Sequence, residues 1–388
     1  MREIELLMKK IALIGSTGSI GVQVLNVVRR NPEKFSIVSM SAHKNARSFF
    51  NQIIEFKPKV CALDCNQDEF SIPFDTDFYS GEDAYLNAVI SDADIVVVSV
   101  VGYAGLKAVI KAIELKKDVA LANKESLVVG GEIVMALAKK NGVNIYPIDS
   151  EHSAIWQALN FDFSKPFSRL ILTASGGAFR DLSIDEIGSA TAKQALKHPN
   201  WSMGNKITID CATLVNKAFE VIEARWLYNV DFSKIDAIIH RESIIHSMVE
   251  FEDNSVIAQL SYPTMEIPIA LALDNSLRLK SNVSSLDFAK LSTLHFEEID
   301  KQKFPCFDAV VSAGKKGGLY PAVANAVNEV AVEEFLNGKI VYKDFYPLID
   351  KALNAYTNGV DYSLSAIEDA DAWARSFAKS KINFHGVK

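Results

Sequence analysis

Asp149-Ser150-Glu151-His152 follows the apolar run Val143–Ile148. If the strand continues through these residues, Asp149 and Glu151 point to the same face. Two acids on one face invite a divalent cation. A third acid, Glu220, closes the segment Asn216-Lys217-Ala218-Phe219-Glu220. On a helix, Thr213, Asn216, Lys217 and Glu220 share a face through three- and four-residue spacing. Three carboxylates brought together without a cation repel pairwise by roughly 4 kcal/mol at about 4 Å and an effective dielectric near 20. An all-oxygen donor set suits Mg²⁺ or Mn²⁺ better than Zn²⁺. Spacing alone leaves open whether Glu220 joins the other two, and acids at strand ends are often simply solvated.

A second chemical feature lies near the N-terminus. Ile11–Ile14 runs into Gly15-Ser16-Thr17-Gly18-Ser19-Ile20-Gly21, and Ile20–Arg30 has helical spacing. Glycines at 15, 18 and 21 form a variant of the dinucleotide fingerprint, in which the backbone approaches a pyrophosphate at a helix N-terminus. The bland alternative is a tight strand–helix turn. The second strand, Phe35–Met40, leads into Ser41-Ala42-His43-Lys44-Asn45-Ala46-Arg47. It lacks the acid that would accept a ribose hydroxyl, and its cations suit a 2′-phosphate, so NADP is favoured over NAD. Lys44 and Arg47 also read as an ordinary solvated loop.

Composition sets the frame for this chemistry. The chain has 388 residues, 49% hydrophobic and 23% charged, with a net charge of −7. That is the profile of a folded protein of two or three domains. The acidic balance disfavours a nucleic-acid partner. The cysteines Cys61, Cys65, Cys211 and Cys306 make no disulfide framework, which points to a reducing cytoplasm. Cys61 and Cys65 lack a second Cys/His pair at metal-ligand spacing and read as plain thiols. Met1 to Lys10 shows no signal-peptide pattern, and the apolar run at Ile95–Val101 is far too short to span a membrane.

The elements that must position these groups alternate over the first 150 residues. Strands are expected at Ile11–Ile14, Phe35–Met40, Val60–Leu63, Ile95–Val100, Val119–Ala122 and Val143–Ile148, with helices between them. This predicts a Rossmann-type, doubly wound parallel sheet and an α/β fold. Beyond it, a strand at Leu170–Ala174, a helix at Ala212–Trp226 and antiparallel strands near 237–260 predict an α+β domain. The tail is helical: Pro321 suits a first turn, Gly338 a stop, and Ser365-Ala366-Ile367-Glu368 a capping box. Gly314-Lys315-Lys316-Gly317-Gly318 lacks Walker spacing and reads as a surface connection.

Several long motifs in order resemble the 1-deoxy-D-xylulose 5-phosphate reductoisomerase family. They are Gly15–Gly21, Leu121–Leu127, Pro147–His152, Leu172–Gly177, His198–Gly204, Asp210–Glu220, His246–Val249 and Ala324–Val330. The resemblance implies a cytoplasmic homodimer with an NADPH domain (1–149), a catalytic domain (150–285) and a C-terminal helical bundle (286–388). It implies conversion of the substrate to 2-C-methyl-D-erythritol 4-phosphate by retro-aldol cleavage, re-addition and NADPH reduction. By matched motif, Asp149, Glu151 and Glu220 hold Mg²⁺, Mn²⁺ or Co²⁺. Lys124 and Glu125 position cofactor and substrate oxygens, and Ser150 contacts substrate with His152 nearby. Ser175, Asn216 and Lys217 bind phosphate, with His198 alongside. Trp201 and Met203 belong to a mobile lid within about 176–205. Gly15, Ser16, Thr17, Gly18, Ser19, Ile20, Gly21, His43, Lys44, Asn45, Asn123, Lys124, Glu125 and Gly204 contact the cofactor.

The chain departs from the family pattern at three places. Cys211 stands for a usual serine, with Thr213 as a compensating hydroxyl. Ala174 and His43 each stand for a glycine. Cys211 reads as a phosphate-pocket thiol activated by Lys217 and a helix N-terminus. His240 and His246 read as structural. Two other function classes fit the bare motifs: a metal-independent NADP dehydrogenase of the semialdehyde or hydroxy-acid type, and a non-enzymatic NADP sensor.

Overall fold

The structure is a computed structural model and describes residues 8–65, 71–201, 203–357, 359 and 361–382. Met1–Leu7, on which part of the signal-peptide reading rests, and Ser202 of the expected lid lie outside the described residues. The chain divides into two compact units.

The first unit holds a seven-stranded, all-parallel sheet. Its strands are β1 (Lys9–Ile14), β2 (Phe35–Ala42), β3 (Val60–Leu63), β4 (Asp77–Ser80), β5 (Ile95–Val98), β6 (Asp118–Leu121) and β7 (Ile145–Pro147), in the spatial order β4-β3-β2-β1-β5-β6-β7. Ile11, Leu13, Ile95 and Val97 are fully buried, as a parallel sheet covered on both faces requires. Strand order reverses between β1 and β5, which is where α/β sheets open a crevice for ligands. The fold class expected for this half is therefore the one found. β4 carries no apolar run, and all four of its residues are exposed, so its pattern gave no strand signal.

The expected domain boundaries do not coincide with the units. The first unit extends to Ser153 and also takes in Thr264–Val283. Helix Glu266–Leu273 is apolar at every position after Glu266, and Ile269, Ala270, Ala272 and Leu273 join the same core as β1 and β5. Lys9 Nζ reaches Leu273 O (2.8 Å), Lys34 pairs with Asp274 (2.8 Å) and Arg30 pairs with Glu266 (2.7 Å). A linear cut at 285 assigns this helix to the wrong core.

The second unit is built on a five-stranded mixed sheet of β8 (Arg169–Ala174), β9 (Ile235–Ile239), β10 (Ile245–Glu250), β11 (Val256–Leu260) and β12 (Glu297–Glu298), ordered β11-β10-β8-β9-β12. β8 and β9 run parallel while β10 pairs antiparallel with both β8 and β11, which makes the sheet mixed. The C-terminal helices belong to this unit rather than standing alone. Helix Tyr320–Leu336 starts with Pro321 in its first turn, and Gly338 follows at φ +72°. Val323, Ala326, Val327, Val330 and Phe335 are all buried. Two local readings are corrected. Gly314-Lys315-Lys316 is the end of helix Pro305–Lys316, where Gly314 packs on Ile222; only Gly317 and Gly318 are connection. The last helix is capped by Ser363, not Ser365: its hydroxyl accepts from Ala366 N (3.2 Å). Among the described residues no helix is long and apolar enough to cross a membrane.

Helix Glu125–Asn141 contains a kink at Gly130 (φ −129°, ψ 17°), and Leu127–Gly131 belongs to the second unit. A Cβ on Gly131 would lie 2.3–2.5 Å from the Trp226 indole. Alanine gains up to about 1 kcal/mol in helix propensity over glycine. Overpacking against a rigid ring costs about 1–3 kcal/mol, so the clash wins. Gly131→Ala is expected to lower the thermal midpoint by several degrees; a rise would mean that Trp226 moves aside freely.

Candidate functional site

In the first unit every candidate group sits at the carboxyl edge of the parallel sheet. Gly15 follows β1 at φ +93°, a conformation glycine adopts without strain. A Cβ there would lie 3.0 Å from Ser99 and Val100. Gly21 is tighter still: its Cβ would lie 2.2 Å from Gly15 O and 2.7 Å from Ser16 backbone atoms. Gly18 is the N-cap of helix Ser19–Arg30 and has no side-chain cap, which leaves the first-turn N–H groups of Ser19 and Ile20 to an incoming anion. Ser16 Oγ donates to Gln52 (2.7 Å), so its side chain braces the turn. This cradle fits a dinucleotide pyrophosphate.

Beyond β2, Asn45 caps helix Ala46–Phe56 by accepting from Ser48 N. Lys44 is exposed in the same turn. The sequence reading missed a neighbour: Asp64, just past β3, lies 3.9 Å from His43 Nδ1. Parallel pairing of Ala42 with Leu63 brings these two strand ends side by side, which no local pattern encodes.

After β6, the side-chain amide of Asn123 donates to Val100 O, Gly102 O and Glu125 Oε2 (3.0 Å each), and its oxygen accepts from Ser126. Asn123 thus ties two strand-end loops together and orients Glu125. Its side-chain polar atoms are occupied by the protein itself.

After β7 the chain does not continue as a strand. Asp149 O accepts from Ser153 N (2.8 Å), and helix Ser150–Ala158 begins at once. The shared face expected for Asp149 and Glu151 from strand alternation is therefore incorrect. The helical turn nevertheless brings carboxylate oxygens of the two to within 4.8 Å. Ser150 Oγ donates to Glu151 (2.5 Å). Lys124 Nζ lies 2.5 Å from Asp149 Oδ2, and His152 Nδ1 lies 3.8 Å from Oδ1. Burial pushes the Asp149 carboxyl up, but the Lys124 ammonium and His152 outweigh it and hold it well below the usual carboxylate range. Hard carboxylate oxygens this close fit a divalent cation.

In the second unit, β8 ends at Ala174 and opens into Ser175-Gly176-Gly177, with φ +82° and +67° at the glycines. A Cβ on Gly177 would meet Cys211 O at 2.4 Å, and Ala174 shares an apolar cluster with Leu214. The serine turn and the start of the next helix are thereby packed together. The helix expected at Ala212–Trp226 is found at Val215–Leu227; a separate helix, Asn205–Ala212, precedes it, and Leu214 (φ +57°) breaks the chain between them. Gly204 caps the first of them.

Thr213 lies in that break. Its hydroxyl bonds the carbonyls of Ile209 and Asp210 (3.2 Å each) and is buried, so it does not stand in for a phosphate-pocket hydroxyl. Cys211 is half-buried at the carbonyl end of its own helix, the opposite pole from the one expected to activate it. Asn216, Lys217 and Glu220 do share a face of Val215–Leu227, all three buried, with Glu220 held by both Lys217 and Asn216.

His198 bonds Ser175 Oγ (2.9 Å), which places the ring beside the serine turn. Trp201 is half-buried and meets His246 edge-on (6.1 Å), while Met203 is half-buried beside it in sequence. The stretch 176–205 is not all loop: it contains short helices at Ile184–Gly188 and Ala192–Ala195, each with a capping box. Arg180, unremarked in the sequence, donates to Ser175 O (3.1 Å) and Arg241 O (2.7 Å). His240 is fully buried, with Nε2 accepting from Ile244 N and Ile245 N.

Three family models match in order: "1-deoxy-D-xylulose 5-phosphate reductoisomerase" over residues 11–131, its C-terminal domain over 145–228, and "DXP reductoisomerase C-terminal domain" over 260–377. A 1-deoxy-D-xylulose 5-phosphate reductoisomerase 1 of Bacillus thuringiensis subsp. konkukian is 47% identical over 377 residues, 96% of this chain and 98% of that protein. One from Bacillus cereus is 46% identical over 380 residues, 97% and 100%. The solved reductoisomerase of Zymomonas mobilis in complex with NADPH superposes with TM-score 0.90 at 34% identity, covering 97% of this chain and 100% of that one. A DOX-P reductoisomerase solved with NADPH, fosmidomycin and magnesium gives TM-score 0.90 at 36% identity, covering 97% and 98%.

Proposed function

The chain belongs to the 1-deoxy-D-xylulose 5-phosphate reductoisomerase family, and from that premise we propose how its own residues divide the work. It is an NADPH- and divalent-metal-dependent enzyme that converts 1-deoxy-D-xylulose 5-phosphate to 2-C-methyl-D-erythritol 4-phosphate. The observation that carries this reading is the near-full-length likeness to members of the family, which includes both the glycine cradle and the acidic groups.

Bound metal supplies Lewis acidity and a template for adjacent substrate oxygens, and NADPH supplies the hydride. Asp149, Glu151 and Glu220 would hold the metal. Lys124 keeps Asp149 ionised for that task and adds positive charge where substrate oxygen gains negative charge. Glu125, oriented by Asn123, positions substrate and cofactor oxygens. Ser150 contacts a substrate hydroxyl. Ser175, Asn216 and Lys217 bind the phosphate, which anchors the sugar so that its far end meets the reacting groups in one orientation. Trp201 and Met203 cover the substrate and exclude water. Gly15–Gly21 takes the pyrophosphate, and His43, Lys44 and Asn45 the adenosine 2′-phosphate. The skeleton change proceeds by retro-aldol cleavage and re-addition.

We further propose a cytoplasmic homodimer. β11 is an outer strand of its sheet, with Val256 and Ile257 nearly half exposed. An apolar sheet edge of this kind suits burial against a second copy.

The deciding assay is loss of NADPH absorbance with 1-deoxy-D-xylulose 5-phosphate, run with Mg²⁺ or Mn²⁺ and again with EDTA. Oxidation is expected only with metal, with EDTA lowering the rate at least about a hundredfold, in line with the loss of several kcal/mol of transition-state stabilisation. Full turnover under chelation would instead favour a metal-independent dehydrogenase.

A further inference from the structure

The expected lid and the serine turn meet on one side chain, His198. Its Nδ1 accepts from the backbone N–H groups of Asn200 (3.2 Å) and Trp201 (2.9 Å). A ring nitrogen that accepts two N–H groups carries no proton, so the proton of the neutral ring sits on Nε2. Nε2 is 2.9 Å from Ser175 Oγ and therefore donates to it. Gly177 N donates to the same oxygen (3.2 Å). With both lone pairs taken, the hydroxyl hydrogen of Ser175 is left for an incoming acceptor.

The surroundings oppose a cationic ring. Burial, then the nearby Arg180 guanidinium, push the His198 pKa down to about 4. Arg180 is fixed in place by Ser175 O and Arg241 O. The loop is anchored beside His198 as well: Asn200 Nδ2 donates to Arg241 O (2.6 Å) and Ser243 Oγ (2.8 Å).

Building on the assignment of Ser175 to the substrate phosphate, we propose that His198 is a neutral positioning residue locked in the Nε2–H tautomer, not a cationic phosphate ligand. It links the backbone under Trp201 to the orientation of the Ser175 hydroxyl. Lid and phosphate are then coupled through one imidazole: a lid that lifts Asn200 and Trp201 off Nδ1 frees the ring to rotate, and Ser175 loses the donor that aims it.

Nitrogen-15 NMR of histidine-labelled enzyme tests this directly, with His198 assigned by its loss in His198→Asn. The neutral Nε2–H signature is expected from pH 5.5 to 8, with and without 1-deoxy-D-xylulose 5-phosphate. An imidazolium signature on substrate binding, or an Nδ1–H tautomer, would overturn the proposal. Two variants separate the two hydrogen-bonding functions. Asparagine keeps an acceptor near Nδ1 and loses the donor to Ser175; glutamine keeps the donor and loses the acceptor. His198→Asn is expected to raise KM about tenfold with little change in kcat, the scale of one lost hydrogen bond. His198→Gln is expected to lower kcat about as much, with a smaller effect on KM. Equal damage to both parameters in both variants would mark a merely structural histidine. An unchanged KM in Ser175→Ala would instead remove the phosphate assignment and leave the tautomer result standing.

Discussion

Glu220→Gln loses metal-dependent turnover while keeping the fold and the cofactor site. Glutamine has the shape of glutamate, and Glu220 sits on a helix face whose residues are nearly all buried, so the backbone has little reason to move. What changes is charge. A carboxylate offers a divalent cation a full negative charge and hard oxygens, whereas an amide offers only a dipole. Lys217, paired with Glu220 along the same helix, keeps a polar neighbour but loses its anion. The expected fall in kcat/KM is on the order of a thousandfold, the scale of removing one preorganised electrostatic group. Mn²⁺ affinity, read by calorimetry without substrate, is expected to drop at least about tenfold. NADPH titration and circular dichroism are expected to match the parent protein. If the variant keeps more than a tenth of the parent rate with Mg²⁺, Glu220 is not a metal ligand.

The second large effect concerns the cofactor cradle, where the three motif glycines are physically unequal. A Cβ on Gly18 would lie no closer than 3.4 Å to Gly15 O, an ordinary contact. On Gly21 it would lie 2.2 Å from that oxygen and 2.7 Å from Ser16 Cα. These are backbone atoms of the turn proposed to receive the pyrophosphate, so they cannot yield without deforming that turn. Gly21→Val is therefore expected to weaken NADPH binding at least about a hundredfold, equivalent to losing about 2.7 kcal/mol, and to lower the thermal midpoint. Gly18→Ala is expected to change affinity by less than about tenfold. Fluorescence titration of NADPH measures both. Similar affinities in the two variants would mean that this turn does not hold the cofactor.

Much of this is legible in the sequence. The apolar strands and the glycine turn are local signals, because a parallel strand buried on both faces must be apolar and a pyrophosphate turn must be bare. The acids at 149, 151 and 220 were visible as residue types, as were Ser175, Asn216 and Lys217. Their relation to one another was misread wherever it depended on backbone path. Asp149 and Glu151 were expected on one strand face, yet the chain turns into a helix after Asp149. Thr213 was expected on a shared helix face, yet Leu214 in the left-handed region breaks that helix and turns the threonine inward.

Sequence by itself determined the chemistry available to this protein: the charges, the hydroxyls, the bare turn and the periodicity that builds each strand and helix. Tertiary structure alone decided which distant segments share a core, such as Thr264–Val283 returning to the first sheet. It also set the Lys124–Asp149 pair, the approach of Asp64 to within 3.9 Å of His43, and the tautomer of His198, fixed by Asn200, Trp201 and Ser175. Periodicity and propensity act over a turn or two of chain. Burial, ion pairing and hydrogen-bond satisfaction act through space, and they are settled only when segments far apart in sequence have been packed together.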